Sequence, residues 1–167
     1  IGEWTIAVKN IKNDVVVHAF EPSCKTYNRL SYNLSDMSGV FLNKIAIGSK
    51  KGNLNMYIYE NEAGINSFYK REGVKQLDKL NILIEKVRVD TVDNYIASNK
   101  IKYVDLVKID VEGHEFHVID GMRDSLSKKN ISYVQFQYGG TFIDSRFLLK
   151  DIFDIAKKYN YHMYKLM

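Results

Sequence analysis

Residues 104–115 read Val-Asp-Leu-Val-Lys-Ile-Asp-Val-Glu-Gly-His-Glu, a nearly continuous apolar run that stops at an acid and a glycine and then resumes at helical spacing. A strand buried in a parallel sheet has this form, and it delivers the residues that follow it to the sheet's C-terminal edge. Open α/β sheets bind their ligands at that edge. Asp110, Glu112, His114 and Glu115 are therefore expected together where chemistry would be done.

The flanking sequence alternates between strand and helix patterns. Trp4, Ala7, Val8 and Ile11 fall on one helical face, and residues 15–20 form a short β-branched run that Glu21-Pro22 ends, since Pro cannot extend a ladder. Ser23 reads as the N-cap of a helix that buries Tyr27, Leu30 and Leu34. Residues 40–47 read as one strand closed by Gly48, and residues 55–60 as a half-exposed strand added antiparallel. Between 61 and 81 the pattern is poor, with short helical pieces expected at 65–69 and 74–80. Residues 82–91 are β-rich and 92–98 form a short helix. After the 104–109 strand, Phe116, Ile119, Met122 and Leu126 keep helical spacing with Gly121 inside. A mid-helix Gly costs about 1 kcal/mol relative to Ala, so close packing on the sheet is its expected purpose. A strand at 131–138 ends at Gly139-Gly140, a last helix carries Leu148, Ile152, Ile155 and Tyr159, and a strand is expected from Tyr161 to Leu166. Strands alternating with helices give an α/β chain with a doubly wound, mostly parallel sheet.

Composition narrows the function classes. With 167 residues, 46% hydrophobic and 26% charged, the chain makes one folded domain rather than a disordered segment. Cys24 is the single cysteine, which excludes an intrachain disulfide and a multi-thiolate metal site. The net charge of +4 comes from Lys pairs scattered at element ends, a solvated surface rather than a nucleic-acid footprint. No apolar stretch approaches the roughly 20 residues of a membrane span, and Ile-Gly-Glu-Trp has no basic signal-peptide region. The expected setting is the cytoplasm, with neither nucleic acid nor membrane as partner.

Two groups of acids carry the chemistry. Glu21 stands at a strand tip 19 positions after Gly2, where nucleotide-binding α/β folds place an acid that accepts both ribose hydroxyl protons. The same spacing serves NAD, so a nicotinamide-dependent oxidoreductase shares this logic. Asp110 and Glu112 are the second group, and His114 is a base whose ordinary pKa lies near neutrality. A metal can be written onto Asp110, Glu112, His114 and His117, but His-Glu-Phe-His is not the His-Glu-x-x-His of zinc proteases, and no metal is expected. Gln137, at the same edge, can orient a group but cannot act as a base.

The segment Lys108-Ile-Asp-Val-Glu-Gly-His-Glu115 closely resembles the signature of the FkbM family of S-adenosylmethionine-dependent methyltransferases. Also similar to the family are His18-Ala-Phe-Glu-Pro22, Ala46-Ile-Gly48, Val89-Asp-Thr-Val-Asp93 and Phe136-Gln-Tyr-Gly-Gly140, in the same order. The resemblance implies a Rossmann-like class I methyltransferase that moves a methyl group from S-adenosylmethionine to a hydroxyl of a sugar, glycan or secondary metabolite. It implies catalytic roles for Asp110, His114 and Glu112. It also implies cofactor contacts at Gly2 beside the methionine moiety, at Glu21 on the ribose, at Ala46 and Ile47 near adenine, and at Asp110. The family often has Glu where this chain has Gln137. In the family a strand and an Asp-x-Gly-Ala-Asn loop precede an Ile-Gly-Glu-Trp-like start. Residues 1–167 are therefore expected to be one methyltransferase domain that lacks the first strand and the C-terminal end, and a non-catalytic fragment is the remaining alternative.

Overall fold

The strand runs are rich in aliphatic and aromatic residues, and the longer helices between them have an apolar side to bury. The computed structural model describes residues 1–59, 63–71 and 80–166. It runs α1 (Glu3–Ile11), β1 (Val17–Phe20), α2 (Cys24–Asn33), β2 (Val40–Asn43), β3 (Ala46–Ile47), β4 (Gly52–Tyr59), a 3-10 turn (Ala63–Ile65) and β5 (Ile82–Asp90). It continues through α3 (Val92–Ser98), β6 (Val104–Ile109), α4 (Glu115–Asp120), α5 (Arg123–Ser127), β7 (Ile131–Phe136), α6 (Thr141–Ser145) and α7 (Leu149–Lys158). No helix among the described residues is long and apolar enough to cross a membrane.

The chain is mixed α/β, and the strands among its described residues stand in three small sheets where a single doubly wound sheet is expected. β1 pairs in parallel with β2, from Val17↔Val40 to Phe20↔Asn43, and β6 pairs in parallel with β7, ending at Ile109↔Phe136. Between them in sequence, β5 is the centre of a three-stranded sheet, parallel to β3 and antiparallel to β4. β4 is the expected antiparallel addition. The expected single strand over 40–47 is two strands in different sheets. Asn43 marks the break: its side chain donates to the carbonyls of Ala19 and Phe41, and its own carbonyl accepts the Glu21 N–H. The chain then crosses to β5.

The main core lies where α4, α5, α6 and α7 meet β6 and β7. Ile109, Val118, Ile119, Met122, Leu126, Ile131, Phe142, Ile152 and Ile155 are all buried there. Gly121 sits between α4 and α5 and not inside one helix. A Cβ built on it would come 2.0 Å from the Gly48 carbonyl oxygen, so the helix pair approaches the end of β3 through a position that only hydrogen can fill. The purpose expected of this glycine therefore holds, although the helix breaks there.

Other expectations need correction. α1 forms, yet it buries Thr5 while Ile11 is 88% exposed and Trp4 also faces outward. Polar tethers set its rotation: Lys9 Nζ donates to the Val15 carbonyl, and Asn33 Nδ2 donates to that of Ile1. β6 is half-exposed rather than buried on both faces, since its sheet has two strands and Leu106 faces solvent. Residues 65–69 are not helical: the 3-10 turn ends at Ile65, and Ser67 bridges to Tyr57 as an antiparallel strand would. Residues 161–166 form no strand. Most of the helical piece expected at 74–80 lies outside the described residues.

Gly121→Ala is expected to destabilise the fold by about 2–3 kcal/mol, since the added methyl must displace backbone rather than a flexible side chain. Urea denaturation followed by circular dichroism measures it; an unchanged midpoint would contradict the close approach.

Candidate active site

Parallel β6 and β7 end side by side, so the residues after each strand share one edge. Asp110 and Glu112 follow β6, and Gln137 with Gly139 and Gly140 follow β7 before α6 begins at Thr141. Between the two tips is a cleft of about 460 Å³. Asp110, Glu112, Glu115, Gln137 and Asp144 line it with Arg71, Thr141, Ile143 and the two glycines.

The turn after β6 makes the cleft. Glu112 has φ +53° and Gly113 φ +104°, two left-handed residues in succession. A side chain at Gly113 would be both strained and blocked, its Cβ 2.9 Å from the Thr141 carbonyl oxygen. Glu112 is not glycine, so neighbours must hold it in this conformation. Ser67 Oγ donates to the Glu112 carbonyl at 2.7 Å, and the Arg71 guanidinium pairs with the Glu112 carboxylate. Arg71 is itself fixed by its N–H on Tyr59 Oη at 3.0 Å, while its Nε is buried without a partner.

Glu115, 1% exposed, turns back into the same loop. Its oxygens accept the N–H groups of Val111 at 3.2 Å and Gly113 at 3.0 Å. Burial raises its carboxyl above the ordinary value, against the pull of those bonds. Asp110 is the open carboxylate of the group, 48% exposed at the side chain with Lys108 Nζ 3.1 Å away.

His114 lies behind this edge and not in the cleft. It is 5% exposed, packed between Phe68 and His117, with Nδ1 3.2 Å from Tyr69 Oη. Burial, with a smaller push from His117, drives its pKa down to about 3. The near-neutral pKa assumed for it as a base is thus corrected: near pH 7 it is a neutral, packed ring. Burial likewise pushes the Tyr69 hydroxyl up to about 12. Among the described residues no three His, Cys, Asp or Glu side chains are grouped to hold a metal ion.

Glu21 occupies a second corner, at the tip of β1. Its Oε1 accepts the Ser23 N–H at 2.8 Å, and burial above all raises its pKa to about 7. Contrary to expectation, the Ser23 hydroxyl makes no cap bond to α2; at the same helix start both oxygens of Glu85, from β5, accept the Cys24 N–H. Gly2 is not brought beside Glu21. It packs on Leu30 and Leu34 in the second half of α2, while Glu21 precedes that helix's first turn, and ten helical residues span about 15 Å. Ala46 and Ile47 are buried core residues of β3.

Sequence reasoning did not single out Arg71, Asp144, Ile143 or Glu85. Arg71 borders a stretch with no periodic signal, and Glu85 reads as an ordinary polar position in a strand. α6 was also missed, because its two leading glycines read as a turn.

The profile of the methyltransferase FkbM domain matches residues 3–163. The chain is similar to Methyltransferase 1 of Beauveria bassiana (strain ARSEF 2860), with 26% identity over 138 residues that cover 74% of this chain and 55% of that protein. It is similar also to the hexuronic acid methyltransferase AglP of Haloferax volcanii, with 26% identity over 124 residues, 74% of this chain and 48% of that protein. The chain thus spans about half the length of these curated relatives. No solved structure matches it significantly.

One consequence of the buried ring is measurable. The unfolded chain binds a proton at His114 near the ordinary value of 6.5, and the folded chain only near 3, so this residue's contribution to stability is lost as pH falls across that window. His114→Gln removes the titration. The stability difference between variant and wild type is expected to move in the variant's favour as pH falls from about 6.5 toward 3, read by denaturant titration at several pH values. A difference independent of pH would contradict the buried neutral ring.

Proposed function

The chain belongs to the family of FkbM methyltransferase domains, and from that premise we propose that it moves a methyl group from S-adenosylmethionine to a hydroxyl of a sugar, glycan or small secondary metabolite. The reading takes the parallel pairs β1–β2 and β6–β7 as parts of one Rossmann-like class I methyltransferase sheet. What carries it is the acid-lined cleft at the tips of β6 and β7, within a chain matched by the family from residue 3 to residue 163.

The cofactor corner is judged on Glu21. Oε1 is engaged by Ser23, Oε2 has no protein partner among the described residues, and the group is largely desolvated. An acid of this kind fits a ribose, whose two hydroxyls would supply the missing donors. S-adenosylmethionine supplies an electrophilic methyl group on a sulfonium. In this reading Gly2, packed on Leu30 and Leu34, borders the methionine moiety, and Ala46 and Ile47, buried in β3, flank adenine.

At the cleft, Asp110 is the open carboxylate and the natural acceptor of the hydroxyl proton. It replaces His114 in that role, since a neutral ring behind the edge cannot reach it. Glu112, tied to Arg71, orients the acceptor by hydrogen bonding. Gln137 adds a donor and an acceptor of no charge. Catalysis is then mainly the alignment of hydroxyl and methyl, with Asp110 taking the proton. A sugar acceptor is favoured by the Haloferax relative, whose name is that of a hexuronic acid methyltransferase.

Calorimetric titration with S-adenosylhomocysteine and separately with NAD tests the cofactor. The first is expected to bind, and Glu21→Ala to weaken it by between about ten- and a hundredfold, the loss of hydrogen bonds to a charged group. Binding of NAD alone would replace this reading with an oxidoreductase, and binding of neither would leave a scaffold without cofactor. Asp110→Asn is expected to lower methyl transfer from labelled S-adenosylmethionine onto a panel of hexosides and hexuronates by about 10²–10⁴-fold, with S-adenosylhomocysteine still bound. Unchanged transfer would remove Asp110 from the chemistry.

A further inference from the structure

Two carboxylates from different sheets meet at the start of α2. Glu21, at the tip of β1, accepts the Ser23 N–H at 2.8 Å, and Glu85, from β5, accepts the next N–H, that of Cys24, with both oxygens at 2.9 and 3.2 Å. The first N–H groups of a helix have no partner within it, and the positive end of the dipole draws acids to them. One carboxylate is enough to cap a helix. Here each takes one N–H, and the like charges are held near each other.

We propose that Glu85 is a positioning residue for Glu21: by occupying the Cys24 N–H it confines Glu21 to the Ser23 N–H, leaves Oε2 of Glu21 without a protein partner among the described residues, and adds its charge to what makes this corner respond to pH. The proposal rests on the reading of Glu21 as the ribose acid. It adds a residue with no expected cofactor contact, in the part of β5 that pairs antiparallel with β4.

The groups around this start are few. Cys24 and Tyr27 come from α2 itself, and Lys44, just after β2, lies with Nζ 2.9 Å from Cys24 Sγ and within the field of Glu85. Lys44 is therefore directed at Glu85 and Cys24. Glu21 has desolvation as its largest influence and the charge of Glu85 as a further one, both favouring the proton. The Ser23 N–H opposes them. With Glu85 charged, Glu21 keeps its proton up to about pH 7. A protonated carboxyl loses one acceptor for a ribose diol, so affinity at this corner is expected to fall on acidification.

Glu85→Gln tests this in the full chain, because the amide oxygen still accepts the Cys24 N–H while the charge is gone. The midpoint of Glu21, followed by carboxyl carbon nuclear magnetic resonance and identified by its disappearance in Glu21→Gln, is expected to move down by about half a pH unit or more. Glu85→Asp, which keeps the charge, is expected to retain the higher midpoint. A Glu21 midpoint equal in wild type and Glu85→Gln, both folded by circular dichroism, overturns the proposal. So does a Glu85→Asp variant that shifts as far as the amide. S-adenosylhomocysteine titration at pH 8 separates the two readings: no binding there removes the cofactor assignment, while the Glu21 midpoints still decide the coupling to Glu85.

Discussion

Everything at the β6 edge depends on two consecutive left-handed residues. With Glu112 and Gly113 at positive φ, the chain reverses within one turn after the strand, and α4 starts almost directly above β6. Gly113 can do this without strain, and nothing larger fits against Thr141. Glu112 does it under constraint, held by Ser67 on its carbonyl and by Arg71 on its carboxylate. Because the clamp residues come from the segment after β4, the cleft's geometry is tied to a part of the chain remote in sequence. The turn also determines which acids face the cleft and which are used up inside: Asp110 stays open, and Glu115 is spent on the N–H groups of Val111 and Gly113.

Charge in the cleft is uneven for the same reason. Among the described residues its single lining cation is Arg71, and that cation already has Glu112 as partner. Asp110 and Asp144 remain, with Lys108 near the first. Ionised carboxylates offer only acceptors, so this part of the lining is matched to hydrogen-bond donors.

Much of the fold is legible from pattern alone. The run at 104–109 is a parallel strand with the acid at its tip, 92–98 is a helix, and Glu21 stands at the end of β1, because periodicity and punctuation are local properties of the chain. What is not legible depends on partners distant in sequence. Residues 40–47 carry one apolar run, yet the run is divided because two sheets compete for it and Asn43 satisfies the carbonyls at the break. His114 reads as a base because its type has a near-neutral pKa, and burial among Phe68, Tyr69 and His117 holds that pKa far lower. Ser23 reads as the capping side chain of α2, yet its hydroxyl makes no cap bond, and Glu85, 61 residues away, accepts the Cys24 N–H at the same helix start. In each case residue type was read correctly, and its surroundings were decided elsewhere.

The two perturbed corners act on stability in opposite directions. Glu21 has its pKa raised from 4.5 to about 7, so the folded chain holds the proton more firmly and this contribution is lost as pH rises through that interval. His114, lowered from 6.5 to about 3, loses its contribution as pH falls. Between about 4.5 and 6.5 both windows are open and the slopes oppose each other, with Glu115, also raised, adding to the side of Glu21. The fold can therefore be nearly indifferent to pH across a range in which Glu21 is still mostly protonated. An ionised ribose acid requires pH above that range, where the contribution of Glu21 has been lost. The proposed cofactor corner thus functions on the side of its titration that costs stability, as a site preorganised for a ligand rather than for the empty fold would.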